Sequence, residues 1–285
     1  MRIGVVDVGS NTIRLLLAQV DAGNLRPLAK ERVRLSLGAE IERTGVVSDV
    51  SIATAAKAVA KLCGLARRGG AQALEVFLTA PGRQSANADH LVEAITRAAR
   101  HSVRVLSTEE EGRFAYAGAV ATADIDLPTC IAVCDVGGAS TEIAVGEPDS
   151  DPTWVRSVDL GSVRLTERVG PADSARAEAA RAFGAVAPPG VDAALAVGGS
   201  ARAARRLVGA SLGESELVEA SRIVATRAPE SISREYGVHR TRVRILPTGL
   251  VLLAEVQSRL GVPLHVCDGG IREGAVLATV AQLAA

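Results

Sequence analysis

The chain has 285 residues, enough for two packed domains; 48% are apolar and only 2% aromatic, so its core must be built from Ala, Val, Leu and Ile. Lys plus Arg and Asp plus Glu stand equal at 32 each, so no global field favours nucleic acid or a membrane surface. Attraction for a polyanion must therefore be local.

Taken in order, Ile3 to Asp7 predicts a strand, Thr12 to Val20 its hairpin partner, and Leu25 to Arg34 a third antiparallel strand. Ser51 to Arg67 predicts a helix, because Ile52, Ala55, Ala56, Val59, Ala60, Leu62 and Cys63 form an apolar stripe. Leu74 to Thr79 reads as a strand, Asn87 to Arg100 as a helix and Val103 to Leu106 as a strand. Glu109 to Val120 reads as a helix led by three carboxylates, which suits the positive end of its dipole. After a loop at Asp124 to Pro128 the pattern restarts, with strands over Thr129 to Asp135, Thr141 to Val145 and Thr153 to Asp159. Helices are expected at Val163 to Val169, Ser174 to Phe183, Ala201 to Val208, Leu250 to Leu260 and Ile271 to Leu283. Strands are expected at Ala193 to Val197 and Leu264 to Cys267. A three-strand meander followed by alternating helix and strand thus occurs twice, which implies two similar domains and a cleft between them.

The first hairpin of each half carries nearly the same words. Asp7-Val8-Gly9-Ser10-Asn11-Thr12 is echoed by Asp135-Val136-Gly137-Gly138-Ala139-Ser140-Thr141. Each is an apolar strand ending in Asp, then a tight turn of Gly and hydroxyl or amide residues. Glycine lets backbone N–H groups approach an anion, and the side chains add donors. The leading Asp can hold a divalent cation, the bridge that phosphate oxygens need. Two such turns facing each other would grip a phosphate chain from both sides.

Cys63, Cys130, Cys134 and Cys267 form no C-x-x-C pair and no metal-finger spacing, which reads as buried, reduced thiols of a cytoplasmic protein. Met1 leads straight into a strand, and no uninterrupted apolar run approaches about 18 residues, so neither a secretory leader nor a membrane span is expected.

These turns, together with Asp268-Gly269-Gly270-Ile271-Arg272-Glu273-Gly274, resemble the exopolyphosphatase / guanosine pentaphosphate phosphohydrolase family. The segments Arg34-Leu35, Thr79 to Asn87, Ser107 to Arg113, Gly161 to Thr166, Gly198-Gly199-Ser200 and Leu246-Pro247-Thr248-Gly249 agree in the same order, so the similarity runs from residue 3 to about 277. The resemblance implies an α/β fold of two actin-like, ribonuclease H-like domains with an interdomain active-site cleft. The domains would be residues 1–122 and 123–285, with the helix at about 271–285 packing back onto the first. It implies a short form: larger relatives add a helical module with a His-Asp pair, and His90, His101, His239 and His265 form no such dipeptide.

It also implies chemistry. The substrate would be inorganic polyphosphate or guanosine pentaphosphate, the cation Mg²⁺ or Mn²⁺, with no nucleic acid or membrane partner and with room for a homodimer. Asp135 and Glu142 would be the metal pair, with Asp7 facing them. Gly9, Ser10, Asn11, Thr12, Gly137, Gly138, Ala139, Ser140 and Thr141 would cradle phosphate, and Arg83 would clamp it from the substrate side. Glu111 aligns with the family's catalytic glutamate. Residues one apart on a helix point about 100° away from each other, so at most one of Glu109, Glu110 and Glu111 faces the cleft. Gly198-Gly199-Ser200 after a strand is a second candidate anion or nucleotide site, or only a tight turn.

Two departures stand out. Ala139 replaces the family's usual third glycine, and Arg244 stands where members often carry Asp. Arg240, Arg242 and Arg244 alternate, so an extended segment would put all three on one face, as a solvated edge or a track for a polyanion. A kinase of the same superfamily, or a binding module without catalysis, remains the contrasting class; Glu111 argues for hydrolysis, because neither needs a water-activating base.

Overall fold

A computed structural model describes residues 1–21, 24–169 and 172–284. The chain opens with a meander of β1 (Arg2–Val8), β2 (Thr12–Asp21) and β3 (Asn24–Arg34). Then come α1 (Leu37–Thr44), α2 (Asp49–Arg68), β4 (Ala73–Leu78), α3 (Ala80–Gln84), α4 (Ala88–Ala99), β5 (Arg104–Val105) and α5 (Thr108–Val120). The strands form one sheet in the order β3-β2-β1-β4-β5, with β1 antiparallel to β2 and parallel to β4.

The plan then repeats with β6 (Ile131–Val136), β7 (Thr141–Gly146) and β8 (Trp154–Val158), followed by α6 (Ser162–Arg168), α7 (Ala172–Phe183) and β9 (Ala193–Val197). The rest is α8 (Gly198–Val208), β10 (Ser211–Leu212), α9 (Glu214–Thr226), α10 (Pro229–Tyr236), α11 (Arg240–Leu260), β11 (Leu264–Val266) and α12 (Ile271–Ala284). The second sheet runs β10-β11-β9-β6-β7-β8, with β6 antiparallel to β7 and parallel to β9. Two sheets built on the same hairpin-plus-parallel-neighbour plan give the two-domain, actin-like architecture that the sequence predicts.

The two-residue period of a strand decides what each sheet face carries. In β1, Val6 and Val8 enter a core with Ile52, Val59 and Leu62 of α2 and with Leu91 and Ile95 of α4. Ile3 and Val5 point the other way, to Ala275 and Val276 of α12. Asp7 shares that second face. In β6, Ala132, Cys134 and Val136 pack toward α7, α8 and α11, whereas Ile131 and Val133 meet Ala115, Tyr116 and Ala119 of α5. Asp135 shares the α5 face, and so does Glu142, two residues from Ala144 on β7. A one-residue slip in either strand would drive its Asp into an apolar core.

Helices α5 and α12 lie between the sheets and cross where neither can carry a side chain. A Cβ on Gly118 would run into the Gly270 carbonyl, and one on Gly274 into the carbonyl of Phe114. The α5–α12 contact is thus backbone against backbone, so it sets the spacing of the two sheets.

One expectation is overturned. Arg240, Arg242 and Arg244 do not lie in an extended segment; they open α11, which begins ten residues before the predicted Leu250. Pro247 sits inside this helix and is exposed, so its ring stands in solvent rather than in the core. The Thr248 hydroxyl donates to the Ile245 carbonyl at 3.0 Å and to Ser162 O at 2.8 Å, holding the turn where Pro247 lacks an N–H. At about 100° per residue the three arginines cannot share a face. Arg244 turns outward to Glu167 at 3.5 Å, Arg240 is exposed, and Arg242 faces between the sheets. The structure also adds α1, α3, α9, α10 and β10, which the periodicity did not mark. No helix among the described residues is long and apolar enough to cross a membrane.

Candidate active site

The two predicted turns face each other. Each is pinned in the same way: the Gly9 N–H donates to Thr12 O at 3.1 Å, and the Gly137 N–H to Ser140 O at 3.0 Å. A Cβ added to Gly138 would lie 3.2 Å from the Cβ of Ser10, a tight contact, so the two turns come within van der Waals reach of each other here. The α6 N-terminus braces the second turn from behind, with Ser162 N–H on Gly137 O and the Val163 and Arg164 N–H groups on Gly138 O. The N–H groups of Ser10, Asn11 and Gly138 donate to no backbone acceptor among the described residues and remain free for an anion.

Between the turns is a cavity of about 110 Å³. Asp7, Gly9, Ser10, Asn11 and Thr12 form one wall; Asp135, Gly137, Gly138, Ser140 and Glu142 form the opposite one. Glu111 closes the side, and Gly198 and Gly199 close the end. Gly198 has φ of 91°, and a Cβ there would strike Oδ1 of Asp135, so this position needs glycine twice over.

Other predicted residues stand off this wall. Ala139 is buried beside it, Thr141 spends its hydroxyl on Leu160 O at 2.8 Å, and Ser200 is packed behind the glycines against Gly249. Arg83, from α3, reaches the cavity through Glu111: its Nη1 donates to the Glu111 carboxylate and, at 2.5 Å, to Leu106 O. Its Nη2 is buried with no hydrogen-bond partner among the described residues.

The glutamates at the start of α5 divide three tasks. Glu110 closes a capping box, accepting from the Ser107 N–H at 2.8 Å while its own N–H donates to Ser107 Oγ at 3.1 Å. Glu109 pairs with Arg113 at 2.9 Å on the outside. Glu111 is the buried one.

Four carboxylates around so small a space strain their own ionisation. Burial pushes Asp7 and Asp135 above the usual carboxylate range, although the Arg14 guanidinium opposes this at Asp7 and Arg202 at Asp135. Burial and the charge of Asp135 push Glu142 up to about 7, against a hydrogen bond of 2.8 Å from the Ser157 hydroxyl. Burial and the neighbouring Glu142 raise Glu111 well above its ordinary value, while Arg83 pulls it back.

These donors fit a hard divalent cation. No protein hydrogen bond reaches the Asp7 or Asp135 carboxylate among the described residues, and their repulsion is the kind that a cation removes. No three His, Cys, Asp or Glu side chains among the described residues already stand together as a cage. Mg²⁺ does not require one, since it takes one or two carboxylates plus waters and substrate phosphates.

Sequence reasoning named one basic member of the cavity, Arg242, as part of a candidate polyanion track, and missed the others. Arg14 faces Asp7 across the β1–β2 ladder, Arg242 lies against Gly199, and Arg202 and Arg272 oppose the acids from α8 and α12. Arg14 had a signal, being in register with Asp7 in a hairpin already predicted. The other three converge only through the tertiary fold.

A two-lobed fold with paired phosphate-type turns and a buried glutamate defines a class of phosphate-handling proteins. Residues 16–235 match the Ppx/GppA phosphatase family, and the chain belongs to it. It is 31% identical over 179 residues to "Exopolyphosphatase 2" of Mycobacterium tuberculosis, an alignment covering 59% of this chain and 54% of that one. It is 24% identical over 291 residues to the "Guanosine-5'-triphosphate,3'-diphosphate pyrophosphatase" of Aeromonas hydrophila, covering 95% and 58%. The first curated relatives it matches are longer proteins, of which the chain spans from 26% to 58%. Among solved structures, the Aquifex aeolicus member of the family superposes with a TM-score of 0.83 at 23% identity, covering 99% of this chain and 98% of that one. An exopolyphosphatase from Cytophaga hutchinsonii superposes at 0.86 with 17% identity and the same coverage, a likeness of fold.

Proposed function

We propose that this chain is an exopolyphosphatase, cleaving the terminal phosphoanhydride bond of inorganic polyphosphate by in-line attack of water. One juxtaposition supports this above all: the Glu111 carboxylate stands on the wall of the cavity that both turns close. Cleavage needs the phosphoryl charge neutralised, a water in line, and an acceptor for its proton. The free N–H groups of both turns would hold the terminal phosphate, each charge-assisted bond contributing about 1.5–3 kcal/mol. One or two of Asp7, Asp135 and Glu142, with waters and substrate oxygens, would hold Mg²⁺ or Mn²⁺, which neutralises phosphoryl oxygens when bound. As the water oxygen bonds to phosphorus and the bridging P–O bond breaks, Glu111 takes the water proton and the shortened chain leaves with the bond electrons. A carboxylate whose proton affinity is raised by burial is a better base than one in water.

Guanosine pentaphosphate is the second reading, favoured by the 24% identity over 95% of this chain to the Aeromonas pyrophosphatase. The site chemistry would be the same. The deciding experiment measures phosphate release from short and long polyphosphate, ATP and guanosine pentaphosphate, with Mg²⁺ and with chelator. Mg²⁺-dependent release, fastest from polyphosphate, is expected. Release from none would overturn the proposal, and ADP formation only with an added acceptor would indicate a kinase.

A further inference from the structure

Each sheet carries one polar row across its meander, next to the facing turns. In the second sheet Asp135 of β6 stands opposite Glu142 of β7, and Glu142 opposite Ser157 of β8. In the first, Asp7 of β1 stands opposite Arg14 of β2, and Arg14 opposite Arg32 of β3. Directly opposite residues share a face of the sheet. The leading Asp is thus common to both rows, while the next two positions differ in chemistry. Two cations in the first sheet become a carboxylate and a hydroxyl in the second. The meander does not itself require serine at the third position; what distinguishes this row is the carboxylate beside it.

The Ser157 hydroxyl donates to Oε1 of Glu142 at 2.8 Å, its one hydrogen bond among the described residues. Helix α5 lies directly above. A Cβ on Gly112, the residue after Glu111, would strike Val155, two residues before Ser157, and would lie 3.9 Å from the Cβ of Glu142. The buried Glu142 side chain therefore runs in a slot between α5 and the sheet, with Asp135 on one side and Ser157 on the other. Like charges at Asp135 and Glu111 favour any rotamer that takes the Glu142 carboxylate away from both. A hydroxyl fixed on the neighbouring strand restricts that choice. Ser140, from the turn, is a second hydroxyl acting on Glu142, but it lines the cavity where a phosphate would lie; Ser157 does not line it. The Asp7 and Asp135 carboxylates accept no protein hydrogen bond among the described residues, so Glu142 alone of the three is anchored in this way.

We propose that Ser157 is a positioning residue for the divalent cation: touching neither cation nor substrate, it holds the Glu142 carboxylate in the orientation in which that group serves as a ligand. This rests on the hydrolytic reading above and deepens it, singling out Glu142 among the three acids as the one set in place before the cation arrives. Oε1 is fixed toward β8, which leaves Oε2 for the cation. A hydrogen bond from a hydroxyl to an ionised carboxylate is charge-assisted and directional. Pre-setting the rotamer also removes part of the ordering cost from the binding step. Partners of this kind typically carry about 10–100-fold in metal affinity.

The test compares Ser157→Thr with Ser157→Val. The two new side chains have the same shape and both suit a strand, but only threonine keeps the hydroxyl. Binding of Mn²⁺ alone is titrated by electron paramagnetic resonance without substrate, so the reading does not pass through turnover. The Val variant should bind Mn²⁺ about tenfold or more weakly than the wild type, and the Thr variant close to it. The Mg²⁺ concentration for half-maximal phosphate release should rise by a like factor in the Val variant only, with KM for tripolyphosphate at saturating Mg²⁺ unchanged. Equal Mn²⁺ affinity in the two variants overturns the proposal, whether both match the wild type or both fall, since the hydroxyl then decides nothing. A wild type that binds no Mn²⁺ overturns it as well. A wild type that binds Mn²⁺ but releases no phosphate overturns the hydrolytic reading instead, and the titration still decides on Ser157. Should the Val variant fail to fold, Ser157→Ala takes its place against Ser157→Thr in the same titration, with the same two outcomes.

Discussion

Arg83 Nη1 is shared between the Glu111 carboxylate and the main-chain oxygen of Leu106, which fixes the guanidinium on the strand-end before α5 while it grips the buried acid. Burial and Glu142 favour the protonated form of Glu111, and Arg83 favours the ionised form. A general base must be ionised to act. Replacing Arg83 with Met removes the favouring charge, so the pKa of Glu111 rises and the acid limb of the pH–rate profile moves to higher pH. Activity at neutral pH should fall about tenfold or more and recover in part as the pH is raised. Lys at this position should move the limb less. A limb that stays in place in the Met variant would show that Arg83 does not poise Glu111.

The acid cluster makes stability depend on pH and cation together. Glu142 goes from an ordinary 4.5 to about 7 in the folded state. Between those values the folded chain binds a proton that the unfolded chain has released, so this group's contribution to stability falls as pH rises through that window. Above it the ionised carboxylate stays buried among acids until a cation relieves it. Mg²⁺ should therefore raise Tm more at about pH 8 than at about pH 5. An equal gain at both, or none, would place the cation elsewhere. Differential scanning calorimetry reads this directly.

Gly198 combines a left-handed backbone with contact to Asp135. Gly198→Ala should cost roughly 1–3 kcal/mol of stability and displace the Asp135 carboxylate. Chemical denaturation with parallel activity measurements checks it. A variant of wild-type stability and activity would mean that the strand-to-helix junction adapts freely.

Arg164 on α6 ties the lip of the cleft. Its Nε donates to Glu42 of α1 at 2.9 Å and its Nη2 to Gln84 of α3 at 2.5 Å, and the side chain is 7% exposed. Removing one partner of a buried pair typically costs about 3–5 kcal/mol. Arg168 also pairs with Glu42, so Arg164→Met should fall near the low end of that range. A loss under about 0.5 kcal/mol in equilibrium denaturation would show that the lip is open in solution.

Much of this site was legible because strand periodicity is strict. Once Asp7 and Asp135 are read as strand ends, alternation alone puts each on the face opposite Val8 or Val136, and Glu142 follows two residues from Ala144. Helical geometry likewise singles out at most one of the three glutamates of α5. The basic half of the cleft was not legible. Arg202, Arg242 and Arg272 come from three helices of the second half of the chain and meet only where α8, α11 and α12 converge. Arg242 was marked as part of an arginine track, though in an extended segment; it stands instead in the helix that also carries Pro247. Helices α9 and α10 went unread because their few buried side chains, Leu217, Ala220, Ile223 and Ile232, make only a faint stripe among polar residues.

The central claim is that Glu111 takes the proton from a water attacking a phosphate held between the twin turns. Glu111→Gln keeps the shape and the hydrogen bond to Arg83 while removing the base. Steady-state turnover of tripolyphosphate with saturating Mg²⁺, paired with calorimetric binding, tests it most directly. The account predicts turnover lower by about 10²–10⁴ with affinity for the chain retained. Turnover close to that of the wild type at saturation would contradict it.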